Sequence, residues 1–196
     1  MLKKRILSIV LALTMLMVPG AYAAQPAKDD MHGVWVASVH NIDFPSEQGM
    51  TADQLKAEAD TELDNIAAMG LNTVFLQVRP SADALYPSKL FPWSRYVSGT
   101  AGQAPDGDFD VLGYWVTAAH ERGLQLHAWI NPYRITIDGE DEWNAIPDSS
   151  PAKQHPEWVV KYNDNYYFDP GIPAVQQLVV DGAVEIVKNY DVDGIH

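Results

Sequence analysis

A chain of 196 residues with no cysteine, 47% hydrophobic residues and 26 acidic against 13 basic side chains is long enough for one globular domain and must hold it by core packing alone. Disulfides and thiolate metal sites are excluded. A formal charge of −13 excludes the clustered Lys and Arg that bind a phosphate backbone, so nucleic acid is not an expected partner.

The chain opens with Lys3, Lys4 and Arg5, an apolar run over 6–18, Pro19-Gly20 and the small-residue pattern Ala21-Tyr22-Ala23. That order is expected of a secretory signal over residues 1–23, cut after Ala23. The run of about 13 residues falls short of the roughly 20 that span a bilayer, so no membrane anchor is expected after cleavage. Loss of the three basic residues takes the formal charge from −13 to −16. The exported product (extracellular, cell wall or periplasm) is expected to begin with a short linker, 24–30, and continue as one domain over 31–196.

Gly33 to Val39 reads as a first strand, and Thr51-Ala52-Asp53-Gln54 has the form of a capping box. The helix it opens places Leu55, Ala59, Leu63, Ile66 and Ala67 on one face and ends at Gly70. A strand over 72–78 follows, then a helix capped by Asp110 with Leu112, Trp115, Val116 and Ala119 inward, ending at Gly123. A strand over 124–130 comes next. Pro173 begins a third helix, with Val175, Leu178, Val179, Gly182, Ala183, Ile186 and Val187 at helical spacing, and a last strand begins near Val192.

Strand and helix alternate four times, and the strands are continuous apolar runs, as a parallel sheet covered by helices requires. Each helix returns to the next strand within a few residues, whereas 40–50, 79–109 and 131–171 are long. All elaboration therefore sits at the C-terminal ends of the strands, the face on which a (β/α)8 barrel builds its site. The fold expected is α/β, a TIM-type (β/α)8 barrel truncated after about four β/α units, since the chain stops at Asp193-Gly194-Ile195-His196 inside a strand and a complete barrel needs about 250 residues. A doubly wound open sheet is the alternative, without a Gly-x-Gly-x-x-Gly after the first strand.

The long loops concentrate aromatics: Tyr86, Phe91, Trp93 and Tyr96 in the second, and Tyr133, Trp143, Trp158, Tyr162, Tyr166 and Tyr167 in the third. Aromatic faces stack on sugar rings while Asp, Asn and Arg satisfy hydroxyls, so the set suits a polysaccharide. Singly, each is as well explained by packing of its loop.

Gly33-Val34-Trp35-Val36-Ala37-Ser38-Val39 with Asn41-Ile42-Asp43-Phe44-Pro45-Ser46, and then Gln77 to Tyr86, resemble the glycosyl-hydrolase-like family 10 proteins, bacterial exported (β/α)8 enzymes. The likeness continues through Pro92-Trp93-Ser94, His127 to Arg134, His155-Pro156-Glu157-Trp158, Asp169-Pro170-Gly171 and Asp193 to His196. The resemblance implies glycoside hydrolysis, with bacterial cell-wall glycan as the substrate class; no cofactor is expected. In that family the last motif runs on into paired aspartates, which lie past His196. Glycosidases need two carboxylates flanking the bond, so the chain itself offers no assignable catalytic residue.

Residues expected to bind substrate at the strand ends are Asp43, Arg79, Asp83, Trp93, His127, Asn131, Tyr133, Arg134 and His196. Arg79 offers a planar donor fork, or alternatively a salt bridge to Asp83. Asn131, Tyr133 and Arg134 serve equally as subsite contacts or loop anchors, and Asp43 equally as an Asx-turn residue. His40, His127 and His196 raise the alternative of a metallohydrolase, but no His-x-His or His-Glu-x-x-His spacing exists, and no metal is expected. Asp106-Gly107-Asp108-Phe109-Asp110 lacks the Gly and Glu of a calcium loop and reads as a turn and helix cap. A non-catalytic wall-binding module is the third possibility.

Overall fold

The computed structural model describes residues 30–196; the expected signal and nearly all of the linker lie outside them. Four parallel strands form one sheet in the order β1 (Gly33–Val36), β2 (Thr73–Arg79), β3 (Gln125–Ile130), β6 (Gly194–Ile195). Every pairing joins consecutive strands of the sheet in parallel. Strand order equal to chain order is that of a barrel wall, whereas a doubly wound sheet reverses about its first strand.

Three helices cover one face. Helix α1 (Ala52–Ala68) starts at a full capping box: the Thr51 hydroxyl accepts from the Gln54 amide, and the Gln54 side chain accepts from the Thr51 amide. Leu55, Ala59, Leu63 and Ile66 are buried. Two short helices, α2 (Arg95–Ser98) and, further on, α4 (Gly139–Ala145), lie in the loops flanking α3 (Val111–Glu121), whose N-cap Asp110 accepts from the Gly113 amide. After α5 (Pro151–Gln154), the last helix is α6 (Pro173–Asn189), which buries Val175, Gly182 and Ile186. Val187, expected inward, is 57% exposed.

Alternate strand residues divide between two faces. Val36, Val74, Leu76, Val78, Leu126 and Ala128 join the helices in the main core around Trp115 and Leu112. On the opposite, concave face Trp35 stacks on Phe75 at 4.9 Å, and the rings of His127 and His196 lie 5.1 and 4.9 Å from Phe75. The Trp35 indole also donates to His196 Nε2 at 3.1 Å. Gly194 is required here, because a Cβ would fall about on the His127 ring, 2.5 Å from Nδ1.

Three expectations need correction. The first strand ends at Val36 rather than Val39, because the next amides bond elsewhere: Ala37 N–H donates to Asp43 Oδ2 at 2.8 Å, and Ser38 and Val39 N–H both donate to Gln77 Oε1 at 3.0 Å. The last strand starts at Gly194 rather than near Val192; the carboxylate of Asp193 accepts from Leu126 N–H at 2.8 Å and lies 2.9 Å from His120 Nε2. The third loop contains an antiparallel hairpin, β4 (Val159–Tyr162) and β5 (Asn165–Phe168), turned by Asn163 and Asp164 with φ of 46° and 65°. Positive φ at both central residues is the I′ geometry that twists with its strands.

Candidate functional site at the C-terminal ends of the strands

Loop one leaves β1 over two successive left-handed residues, His40 (φ 54°) and Asn41 (φ 53°). Such a conformation needs outside support. Gln77 supplies it from β2 through the two amides before them, and Asn41 Nδ2 donates to the carbonyls of Pro45 at 2.7 Å and Tyr96 at 2.8 Å. Asp43 folds back onto Ala37, so one of its oxygens is engaged in shaping this loop. Phe44 fills the core against Trp115.

Loops two and three are tied at Pro80. Its carbonyl accepts from Asn131 Nδ2 at 3.0 Å and from Arg134 Nε at 2.9 Å. Tyr133 lies at the edge of a second small core with Ile135, Ala152, Phe168 and Val175, and its carbonyl accepts from Phe168 N–H. These three side chains therefore set where the loops meet, and Asn131, Tyr133 and Arg134 each keep part of their surface exposed.

Arg79 is placed behind the sheet. It is fully buried, with its guanidinium 3.5 Å from the Phe91 ring centre. A Cβ at Gly182 of α6 would collide with it, so the glycine makes room for the guanidinium. Burial works against its charge, opposed by Tyr86, Asp83 and Glu185 nearby. His127 and His196 stand on the concave face beside Phe75, while His40 stands with Tyr96 and 3.9 Å from Asp138. The structure thus separates His40 from the other two, and among the described residues no group of three or more His, Asp or Glu could hold a metal ion.

Charge converges where the three loops abut. Arg95 at the start of α2 pairs with Asp138 and lies 3.8 Å from Glu142, both of loop three. Glu142 is buried and accepts from the amides of Ile137 at 2.5 Å and Asp138 at 2.9 Å. For Arg95, partial burial disfavours the charge, and its bonds to Tyr96 and Asp138 with the field of Glu142 outweigh that and raise its pKa. Asp83, across the same space, accepts from Ser81 N–H at 2.9 Å. Burial pushes its carboxyl above the ordinary range; bonds from Ser94 and Ser81 oppose this, Glu142 adds to it, and Arg79 opposes it.

The raised Asp83 carboxyl has a thermodynamic signature. A group protonated more readily when folded stabilises fully below its unfolded value, about 3.9, and that stabilisation is lost as pH rises through the folded value. Against an Asp83→Asn variant, the thermal midpoint of the parent is expected to fall as pH is raised from 4 upward; parallel profiles would show that the carboxyl is not desolvated.

Of the aromatics read together as a sugar surface, Tyr86, Phe91 and Tyr96 are buried in the core. Trp143 stacks on Tyr166 at 4.4 Å and His155 on Trp158 at 3.8 Å, so these rings partly cover one another. Trp93 remains partly exposed beside Asp83 and Arg95. Arg95, Asp138 and Glu142 carry no pairing signal in the sequence because pairing between residues 43 positions apart, as Arg95 and Asp138 are, has no local pattern. The run Glu140-Asp141-Glu142, opening a helix inside a loop, was the available hint.

The glycosyl hydrolase-like 10 family model matches residues 30–196. Glycosyl hydrolase YngK of Bacillus subtilis (strain 168) is 40% identical over 191 residues, covering 97% of this chain and 37% of that protein. Glycosyl hydrolase DigH of Escherichia coli (strain K12) is 35% identical over 185 residues, covering 87% and 42%. The chain thus spans about two fifths of the length of these curated relatives. Among solved structures, a maltogenic alpha-amylase, AmyB, from Thermotoga neapolitana superposes with a TM-score of 0.52 at 18% identity, over 84% of this chain and 38% of that one. Alpha-L-fucosidase isoenzyme 2 from Paenibacillus thiaminolyticus does so at 0.51 and 19%, over 84% and 22%. At such identities the likeness shows the fold alone, here part of a TIM-type barrel. With the family model matched along the whole described domain, the chain belongs to the glycosyl hydrolase-like family 10.

Proposed function

We propose that the complete protein is an exported glycoside hydrolase acting on a polysaccharide, with bacterial cell-wall glycan as its substrate. The observation that carries this reading is the junction of loops at the C-terminal ends of the strands. There Asp83, Trp93 and Arg95 from loop two face Glu142 from loop three, with Asn131, Tyr133 and Arg134 holding the loops in place. Hydrogen-bonding charge beside an aromatic face is the chemistry that sugar rings require.

In this reading the described residues bind and orient the glycan. Asp83, Trp93, Asn131, Tyr133 and Arg134 contribute directly from the loops, Asp43 from the turn after its strand, and His127 and His196 from the concave wall, while Arg79, buried behind the sheet, supports the loops without touching the glycan. The two carboxylates that cleave the bond, one protonating the leaving oxygen and one acting as nucleophile or base, belong mostly to the part of the protein past His196. No cofactor enters the reaction.

Incubation of the full-length protein with purified glycan strands is expected to release new reducing ends at a rate unaffected by strong chelators. Binding without new reducing ends would replace hydrolysis by a non-catalytic wall-binding role. Loss of activity on chelation would instead indicate metal-dependent hydrolysis.

A further inference from the structure

A cavity of about 30 Å³ opens between loops two and three. At roughly 10–15 Å³ per water-sized group, it admits a substituent of two or three heavy atoms and excludes a sugar ring. Its walls are largely apolar, with Ala82, Trp93, Ile135 and Ile146 among them, and its polar lining comes from Ser81, Asp83, Arg95 and Glu142.

Two of those polar groups are unsatisfied. Ser81 is only 2% exposed, and its Oγ has no hydrogen-bond partner among the described residues; the buried Nε of Arg95 has none either. Unpaired buried donors on one small space call for an acceptor, since native structures leave few such groups unmatched. An anionic guest is excluded by Asp83 and Glu142 on the same lining, and an all-polar guest by the apolar walls. What remains is a neutral oxygen acceptor joined to a methyl group.

We propose that this cavity seats an acetyl group carried by a sugar of the substrate, its methyl against the apolar wall and its carbonyl oxygen accepting from Ser81 and Arg95. The proposal rests on the glycan-binding reading above and adds a specificity to it. N-acetyl and O-acetyl sugars present the same group, and the choice between them is an outcome of the test.

The full-length protein is titrated, with tryptophan fluorescence as the readout because Trp93 lines the cavity. The ligands are N-acetylglucosamine oligomers, cello-oligosaccharides, which share the backbone but carry hydroxyls, and O-acetylated and deacetylated xylo-oligosaccharides. An acetylated ligand is expected to bind about tenfold more tightly than its unacetylated counterpart, the difference made by roughly one net hydrogen bond; the pair that shows it names the linkage. Ser81→Ala, which removes the hydroxyl, and Ala101→Leu, which adds bulk at the lining, are expected to abolish the preference while leaving binding of the unacetylated oligomers. Equal affinities within each pair, or a preference that survives both variants, would overturn the proposal and leave the hydrolytic reading to the reducing-end assay. Binding of neither member of any pair would overturn the proposal and the glycan-binding reading together.

Discussion

Trp115→Ala is expected to lower the stability of the domain by about 3–5 kcal/mol, the range for deleting a large aromatic from a packed interior. Trp115 is fully buried in α3, within the core that joins the helices to β2 and β3. Its ring meets Phe44 edge-on at 4.8 Å, and Phe44 follows Asp43 in loop one. The cavity would therefore open beneath the loop that presents His40 and Asn41. Denaturant unfolding should show the loss, and limited proteolysis should show loop one cut faster. Trp115→Phe separates packing from polarity: the indole N–H has no partner among the described residues, so removing it forfeits no hydrogen bond, and most of the stability is expected to remain. A loss with Phe as large as with Ala would mean that the indole N–H is in fact satisfied.

The parts of the fold that were legible in the sequence are those governed by local pattern. The capping box at Thr51, the Asp110 cap and the glycines ending α1 and α3 are short-range devices, with Gly70 and Gly123 at φ 76° and 71° meeting the left-handed requirement at helix ends. The barrel reading followed from loop lengths, which topology makes unequal at the two ends of the strands. The missed features are long-range. Gln77 sits in a strand and reads as a polar interruption, yet it stabilises a turn 38 and 39 residues earlier. Arg79 reads as a donor at a strand end, but a β-bulge between Gln77 and Arg79 shifts the register there, and the side chain packs on Phe91 under Gly182. A bulge re-aims a side chain, and nothing in a period-two pattern announces one. The hairpin over 159–168 was legible in principle, since Asn163-Asp164 between β-rich tetrapeptides suits an I′ turn.

Gln77→Leu is the sharper probe of the site because it removes hydrogen bonds without removing volume. The Gln77 side chain is 1% exposed; its Oε1 accepts from the amides of Ser38 and Val39, and the Ser38 hydroxyl donates to the Gln77 carbonyl at 2.8 Å. Leucine keeps the size and leaves both amides facing an apolar group. Each unsatisfied buried donor costs about 1–3 kcal/mol, so for the two amides a loss of up to about 2–6 kcal/mol is expected. Loop one can escape part of that cost by releasing its two left-handed residues, since strained conformations persist only while the surroundings enforce them. Release would part His40 from Asp138 and Asn41 from Tyr96, which join loop one to the other two loops. Hydrogen exchange is then expected to rise at residues 37–46 while the amides of β2 and β3 stay protected. Gln77→Glu retains an acceptor and should recover most of the protection. A uniform rise across the sheet would instead mean that Gln77 supports the core as a whole and that loop one is held by its own contacts.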